Sequence, residues 1–196
     1  TGTVTASLDG NAAQLDGLSA SQAGSKATMA LTIVVADAVT AAQGSTITLA
    51  TNVATVDFSA NGISDAFGNV TDGTAIHANV GRIDAKDADV NITVTGTQNT
   101  VTADHVTAIN SLQAATTGTV TASLDGNAAQ LDDLSASQAD SKATMALTIT
   151  ANDAAAGADG VAALNTIAAG TTGTFTVADV SGTATQLAFL QSSGGG

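Results

Sequence analysis

Residues 117–149 read TGTVTASLDGNAAQLDDLSASQADSKATMALTI, and residues 1–33 read TGTVTASLDGNAAQLDGLSASQAGSKATMALTI. Over these 33 positions only Gly17/Asp133 and Gly24/Asp140 differ. Both replacements add negative charge at expected loop or helix-surface positions, while the apolar residues from Val4 to Ile33 are kept. Two such segments 116 residues apart mean internal duplication, so the chain is to be read as part of a repeat array.

The pattern inside this stretch switches between two periods. Val120, Ala122 and Leu124 alternate with Thr119, Thr121 and Ser123, which predicts a half-buried strand. Asp125, Gly126 and Asn127 then predict a turn and a helix cap. Ala128, Leu131 and Leu134 recur at i, i+3 and i+6 as one stripe of a short helix. Residues 135–141 predict a polar loop. Met145, Leu147 and Ile149 alternate with Ala146, Thr148 and Thr150 as a second strand, followed by a turn at Asn152-Asp153. Val161, Leu164 and Ile167 form a second helical stripe ending with Gly170 at C′. Phe175 and Val177 against Thr174 and Thr176 open the next strand. The unit is β-α-β-α, with about 26 to 28 residues in each βα step.

A shorter period lies within the long one. Residues 92–122 align without gaps onto 147–177 at an offset of 55, and the segment after Thr172 echoes 117–134 with one insertion. Residues 54–70 carry a degraded copy through Thr55, Val56, Ser59 and Gly62. The spacing is irregular, roughly 55 to 60 residues. Helices of about ten residues do not survive alone in water, so they must bury their stripes against the strands. Strand–helix–strand alternation predicts parallel pairing. Alternating strands are not covered on both faces. The expected fold is therefore an α/β solenoid-like array with helices on one face of a parallel sheet; the alternative is a string of Thr-rich β-sandwich domains. The expected divisions are a repeat block at 1–34, a divergent repeat or loop-rich junction at 35–90, and a block of two units at 91–196. Within the junction, STITLAT and ATVDFS read as strands. The chain opens and closes in mid-repeat, which predicts a segment of a longer protein.

Composition narrows the function. Hydrophobic residues make up 44% of the 196, but there are four Phe and no Trp or Tyr, so small side chains must fill a thin core. All 17 acidic residues are Asp; against three Lys and one Arg they leave a net charge of −13. Such a field repels nucleic acid and anionic membranes and attracts cations. No apolar run has the length of a transmembrane helix, and no signal-peptide pattern is present. Cys is absent, which is compatible with a secreted array held by repeat stacking.

Candidate chemistry follows from two patterns. Thr3 and Thr5, Thr93 and Thr95, Thr119 and Thr121, Thr148 and Thr150, and Thr174 and Thr176 form T-x-T pairs on the outward side of expected strands. In register they would make a hydroxyl face able to contact ice, protein or glycan, although Thr also simply favours strands. Asp84, Asp87, Asp89 and Asn91 supply part of a calcium ligand set, which needs six to eight oxygens. Their spacing is not that of an EF-hand, and Asp125, Asp153 and Asp159 read more simply as turn and capping residues. His77 and His105 are the only histidines, and no nucleophile, zinc or phosphate-loop motif accompanies them. No enzymatic activity is expected.

The phrases TADHVTAINSLQAATTGTVTASLDGNAAQL and GADGVAALNTIAAGTTGTFTVADVSGTATQL resemble the Ala/Thr/Asp-rich repeats of very large secreted surface proteins of bacteria, cyanobacteria in particular. The resemblance implies export to the cell surface, a role in a surface layer, filament, adhesion or matrix, and in many cases calcium binding. Its expected partners are copies of itself or neighbouring repeats.

Overall fold

The computed structural model describes residues 3–22, 28–49, 55–58, 60–134 and 144–190. The chain begins with β1 (Thr3–Gly10), α1 (Ala12–Gln22), β2 (Thr28–Val35), α2 (Ala41–Leu49) and β3 (Thr55–Asp57). It continues through β4 (Ile63–Ala66), α3 (Phe67–Val70), β5 (Thr71–Asp72), β6 (Ala75–Ile76) and α4 (Ala78–Asp84). Then come β7 (Ile92–Asn99), α5 (Ala103–Ala115), β8 (Thr119–Gly126) and α6 (Ala128–Leu131), which a 3-10 turn (Asp132–Leu134) extends. Last are β9 (Thr144–Ala156), α7 (Gly157–Ala169), β10 (Phe175–Ser181) and α8 (Ala184–Leu187).

The protein is an α/β fold. One sheet has the order β1-β2-β3, a second the order β10-β9-β8-β7-β4, and every pair in both is parallel. A parallel bridge from Val39 to Ile63 joins them, and β5 and β6 form a small antiparallel ribbon. Parallel pairing overturns the sandwich alternative, whose sheets are antiparallel. The duplicated segments keep one register: β1 pairs β2 from Thr3↔Thr28 to Gly10↔Val35, and β8 pairs β9 from Thr119↔Thr144 to Gly126↔Ala151.

Val120, Ala122 and Leu124 are buried while Thr121 is exposed, as the two-residue period requires. Ala128, Leu131 and Leu134 are buried as well, the last through the 3-10 turn. So are Val161, Leu164 and Ile167 of α7. One contiguous core runs from Ala12 to Ile167, with Phe58 its largest fully buried side chain. Each buried Leu, Ile or Val contributes about 1.5–3 kcal/mol, which outweighs the poor intrinsic stability of such short helices.

Four local expectations change. STITLAT is mostly helix, α2, in spite of Thr46, Ile47 and Thr48. Thr40 caps it: its N–H donates to Gln43 Oε1 (3.0 Å), and Gln43 N–H donates to Thr40 Oγ1 (3.2 Å). Ile47 is then wholly buried, so tertiary packing overrides strand propensity. Residues 60–90, within the stretch expected to be a divergent repeat or a loop-rich junction, hold two helices, a strand and a ribbon in place of extended loop. The turn at Asn152-Asp153 is instead the interior of β9. Gly170 closes α7 in the right-handed region, at φ −82°, and not as a left-handed C′. The polar loop expected at 135–141 lies outside the described residues.

Gln113 is 1% exposed in α5, and among the described residues neither its amide oxygen nor its nitrogen has a hydrogen-bond partner. A buried unsatisfied amide is costly. Gln113→Met, matched in shape, should therefore raise stability by about 1–2 kcal/mol, read as a higher urea midpoint at unchanged slope.

Candidate functional site

The residues that do the most polar work lie at the joints between successive βα units. At three joints an Asp reaches back to the first N–H of the preceding helix. Ala12 N–H donates to Asp37 Oδ1 (2.7 Å), Ala41 N–H to Asp65 Oδ2 (3.1 Å), and Ala128 N–H to Asp153 Oδ1 (2.8 Å). The helix N-terminus leaves this donor without an intrahelical partner, and its dipole favours a carboxylate there. Asn11 and Asn127 cap α1 and α6 from within, each accepting an N–H three residues on. Asp153→Ala should cost about 1 kcal/mol. The exposed Asp159→Ala should stay within about 0.5 kcal/mol; equal losses in paired urea melts would remove the staple as the reason.

A second joint device is the repeated triplet Thr116-Thr117-Gly118 and Thr171-Thr172-Gly173. Thr116 Oγ1 donates to the Val90 carbonyl (2.6 Å) and Thr171 Oγ1 to the Leu147 carbonyl (2.9 Å). Each hydroxyl also accepts the N–H of its glycine, at 2.9 Å. At Gly118 a Cβ would fall onto the carbonyls of Asp89 and Val90, and at Gly173 onto that of Leu147. These threonines were not among the candidate residues. Their signal is the same TTG at an offset of 55.

The outward face carries the candidate threonines in partial register. Thr93 lies beside Thr121, Thr119 beside Thr144, and Thr150 beside Thr176. Ser123 lies between Thr97 and Thr148, and Asp125 between Asn99 and Thr150. Thr121, Thr148, Thr174 and Thr176 are exposed, and Thr93, Thr119 and Thr150 half-exposed. Thr95 is exposed but drops out of the rows: Gly96, at φ +77°, sits in a bulge between Thr93 and Thr97. Thr97 takes its place and donates to Ser123 Oγ at 3.4 Å.

Of the four candidate calcium ligands, Asp87 and Asp89 share a side-chain hydrogen bond. Asp87 is 7% exposed, and its Oδ2 accepts the Phe58 N–H at 2.5 Å. Asn91 Oδ1 accepts the Thr119 N–H (2.8 Å), which ties β7 to β8. Asp84 ends α4, half-buried, and Asp89 is exposed. Asp57, from β3, lies near enough to add its charge to that of Asp89 on Asp87, a long-range approach that sequence spacing does not show. Burial foremost, then the Asp89 side-chain hydrogen bond and the charges of Asp89 and Asp57, raise Asp87 from 3.8 to about 6 against the lowering effect of Phe58 N–H. Among the described residues, no group of three or more His, Cys, Asp or Glu is placed to hold a metal ion.

Both histidines cap helices. His77 Nδ1 accepts the Asn79 N–H (3.2 Å) at the start of α4. His105 completes a capping box with Thr102, and its ring meets Phe67 edge-on with centroids 4.9 Å apart. A polar cavity of about 280 Å³ is lined by Thr40, Asp65, Asn69, His77 and Asn79. Asn69 Nδ2 donates to Asp65 Oδ1 within this lining (2.7 Å), and Arg82, outside it, donates to Asn79 Oδ1 (3.1 Å). No helix among the described residues is long and apolar enough to cross a membrane. Comparison of the chain with family models, with curated proteins and with solved structures finds no match.

Proposed function

We propose that this chain is a structural segment of an extracellular, cell-surface repeat protein, an α/β solenoid that builds or decorates a filament, surface layer or matrix by stacking its repeats. One observation carries this: the duplicated segments form the same parallel pair in the same register, 116 residues apart. The joints support it, because their Asp and Thr side chains are spent on completing the neighbouring unit. The two histidines cap helices, which favours a structural role over a catalytic one. The strongly acidic field, −13 over 196 residues, disfavours nucleic acid as a partner. The resemblance to secreted bacterial surface repeats adds the location and the expected partners, copies of itself or neighbouring repeats.

A second reading has one observation in its favour, the in-register hydroxyls of Ser123, Thr148, Thr150 and Thr176. They make the outward face a contact surface, and the chain an adhesin stalk or binding module whose Asp-rich loops calcium would order. Sedimentation with electron microscopy, in calcium and in chelator, tests both. The structural reading expects ordered fibres or sheets; loss of that order in chelator would make calcium part of the assembly. A monodisperse monomer in every condition would overturn self-assembly and leave the stalk.

A further inference from the structure

We propose that the polar cavity at the end of β4 is a binding site for a single neutral hexose ring. The site lies in the middle of the chain and is independent of whether the repeats assemble.

An insertion builds the cavity. β8 and β9 pass almost directly into α6 and α7, whereas β4 is followed by α3 and the β5-β6 ribbon before α4 begins. His77 N–H donates to the Val70 carbonyl (2.9 Å), which closes the inserted segment and sets His77 at the start of α4. Asn69 of α3 and His77 thereby reach the carboxyl end of β4, beside Thr40 and Ala42 at the start of α2. Ligand sites in α/β folds favour that end of the strands. The joint between α6 and α7 supplies a comparison within the molecule. There Asp153 holds the place of Asp65, and a cleft of about 330 Å³ is walled by Ala156, Gly160 and Ala163 with Asp132 and Asp159. The cleft therefore comes with the joint, and Asn69 and His77 come with the insertion.

Each polar side chain of the lining is held by a partner of fixed polarity. The Asp65 carboxylate takes Asn69 Nδ2 (2.7 Å), so the Asn69 amide has its Oδ1 left over. Arg82 Nη1, a donor only, takes Asn79 Oδ1 (3.1 Å) and leaves Asn79 Nδ2. Arg82 is itself tied to Ser45 Oγ of α2 (3.3 Å). His77 Nδ1 accepts the Asn79 N–H (3.2 Å), which places the ring's proton on Nε2. Among the described residues, Asn69 Oδ1, Asn79 Nδ2 and His77 Nε2 have no hydrogen-bond partner. Asp65 Oδ2 accepts only the Ala41 N–H (3.1 Å) and keeps a lone pair.

One bonded pair, Asp65 and Asn69, thus offers acceptors, and another, His77 and Asn79, offers donors. A hydroxyl both donates and accepts, and the neighbouring hydroxyls of a sugar ring satisfy both pairs at once. An anion would meet the Asp65 carboxylate, and a cation would meet the His77 and Asn79 donors. The matching ligand is therefore neutral and hydroxylated. At about 280 Å³ the cavity lies at the small end of ligand pockets, which suits one ring and not an oligosaccharide.

Titration of the isotope-labelled chain with D-glucose, D-galactose, D-mannose and their methyl glycosides, followed by NMR, tests this. At least one of these sugars should shift the side-chain resonances of Asn69, His77 and Asn79 saturably, with a Kd on the order of 1 mM. Asn79→Asp keeps the acceptor for Arg82 and removes the donor, and His77→Ser keeps a capping oxygen and removes Nε2–H. Each should weaken binding roughly tenfold. Ala42→Met, at an exposed position of α2, should block the cavity with the urea midpoint unchanged. Equal binding of a methyl glycoside and its free sugar identifies the end of a glycan as the source; binding of the free sugar alone identifies a monosaccharide. No saturable shift with any of these sugars up to about 100 mM would overturn the site. So would undiminished affinity in both Asn79→Asp and Ala42→Met.

Discussion

Gly62→Ala should remove roughly 3 kcal/mol or more of folding stability. Gly62 sits at φ +63°, and a Cβ there would fall onto the backbone carbonyl of Asn91. The obstacle is backbone from the start of the neighbouring unit, so no side-chain rotation relieves it. The position is also where the two sheets meet, since Val39 N–H donates to the Gly62 carbonyl (3.0 Å) and Ile63 N–H to the Asn91 carbonyl (2.8 Å). Gly73 separates the two contributions: it has φ +60° but, among the described residues, no heavy atom within 4 Å of the Cβ position. Gly73→Ala should cost only the left-handed backbone penalty, about 1–2 kcal/mol. Urea unfolding of the two variants decides the matter. Equal losses would show that the close approach to Asn91 costs nothing.

Stability should fall as pH rises from 5 to 7.5, and the Asp87→Asn variant should lose that fall. Asp87 titrates at about 6 in the folded chain against 3.8 ordinarily, so folding favours its protonated form. The favourable contribution is complete below 3.8 and is lost as pH rises through about 6. Between pH 5 and 7.5 the part of this titration that falls in the interval corresponds to about 1 kcal/mol. Asparagine keeps an acceptor for the Phe58 N–H and removes the charge that faces Asp89 and Asp57. Urea midpoints for both proteins at pH 5.0 and 7.5 test this. A wild-type protein that gains stability over that interval, or an Asn variant with the same slope, would refute the assignment to Asp87.

What could be read from the sequence was what repeats within a few residues. The alternation at Val120, Ala122 and Leu124 and the stripe at Val161, Leu164 and Ile167 fall where strands and a helix form. The strand expectation failed at Thr46, Ile47 and Thr48 because one capping box and one buried Ile outweigh three β-branched residues. The T-x-T pairs marked where strands run, with Thr95 displaced by the Gly96 bulge and Thr174 just before β10. The joints were not legible. Asp37, Asp65 and Asp153 look like ordinary turn residues until the register sets each beside a helix 24 or 25 positions earlier. The approach of Asp57 to Asp87 has the same origin, a neighbour supplied by stacking and not by sequence proximity.

Those staples also give the chain a direction in time. As it is synthesised, at about 5–20 residues per second, Ala12 emerges 25 residues before Asp37, and Ala128 emerges 25 before Asp153. Helices α1, α2 and α6 therefore wait incomplete until the following strand is out. At these three joints the newer layer finishes the one beneath it. Maturation follows the order of synthesis, one step in arrears.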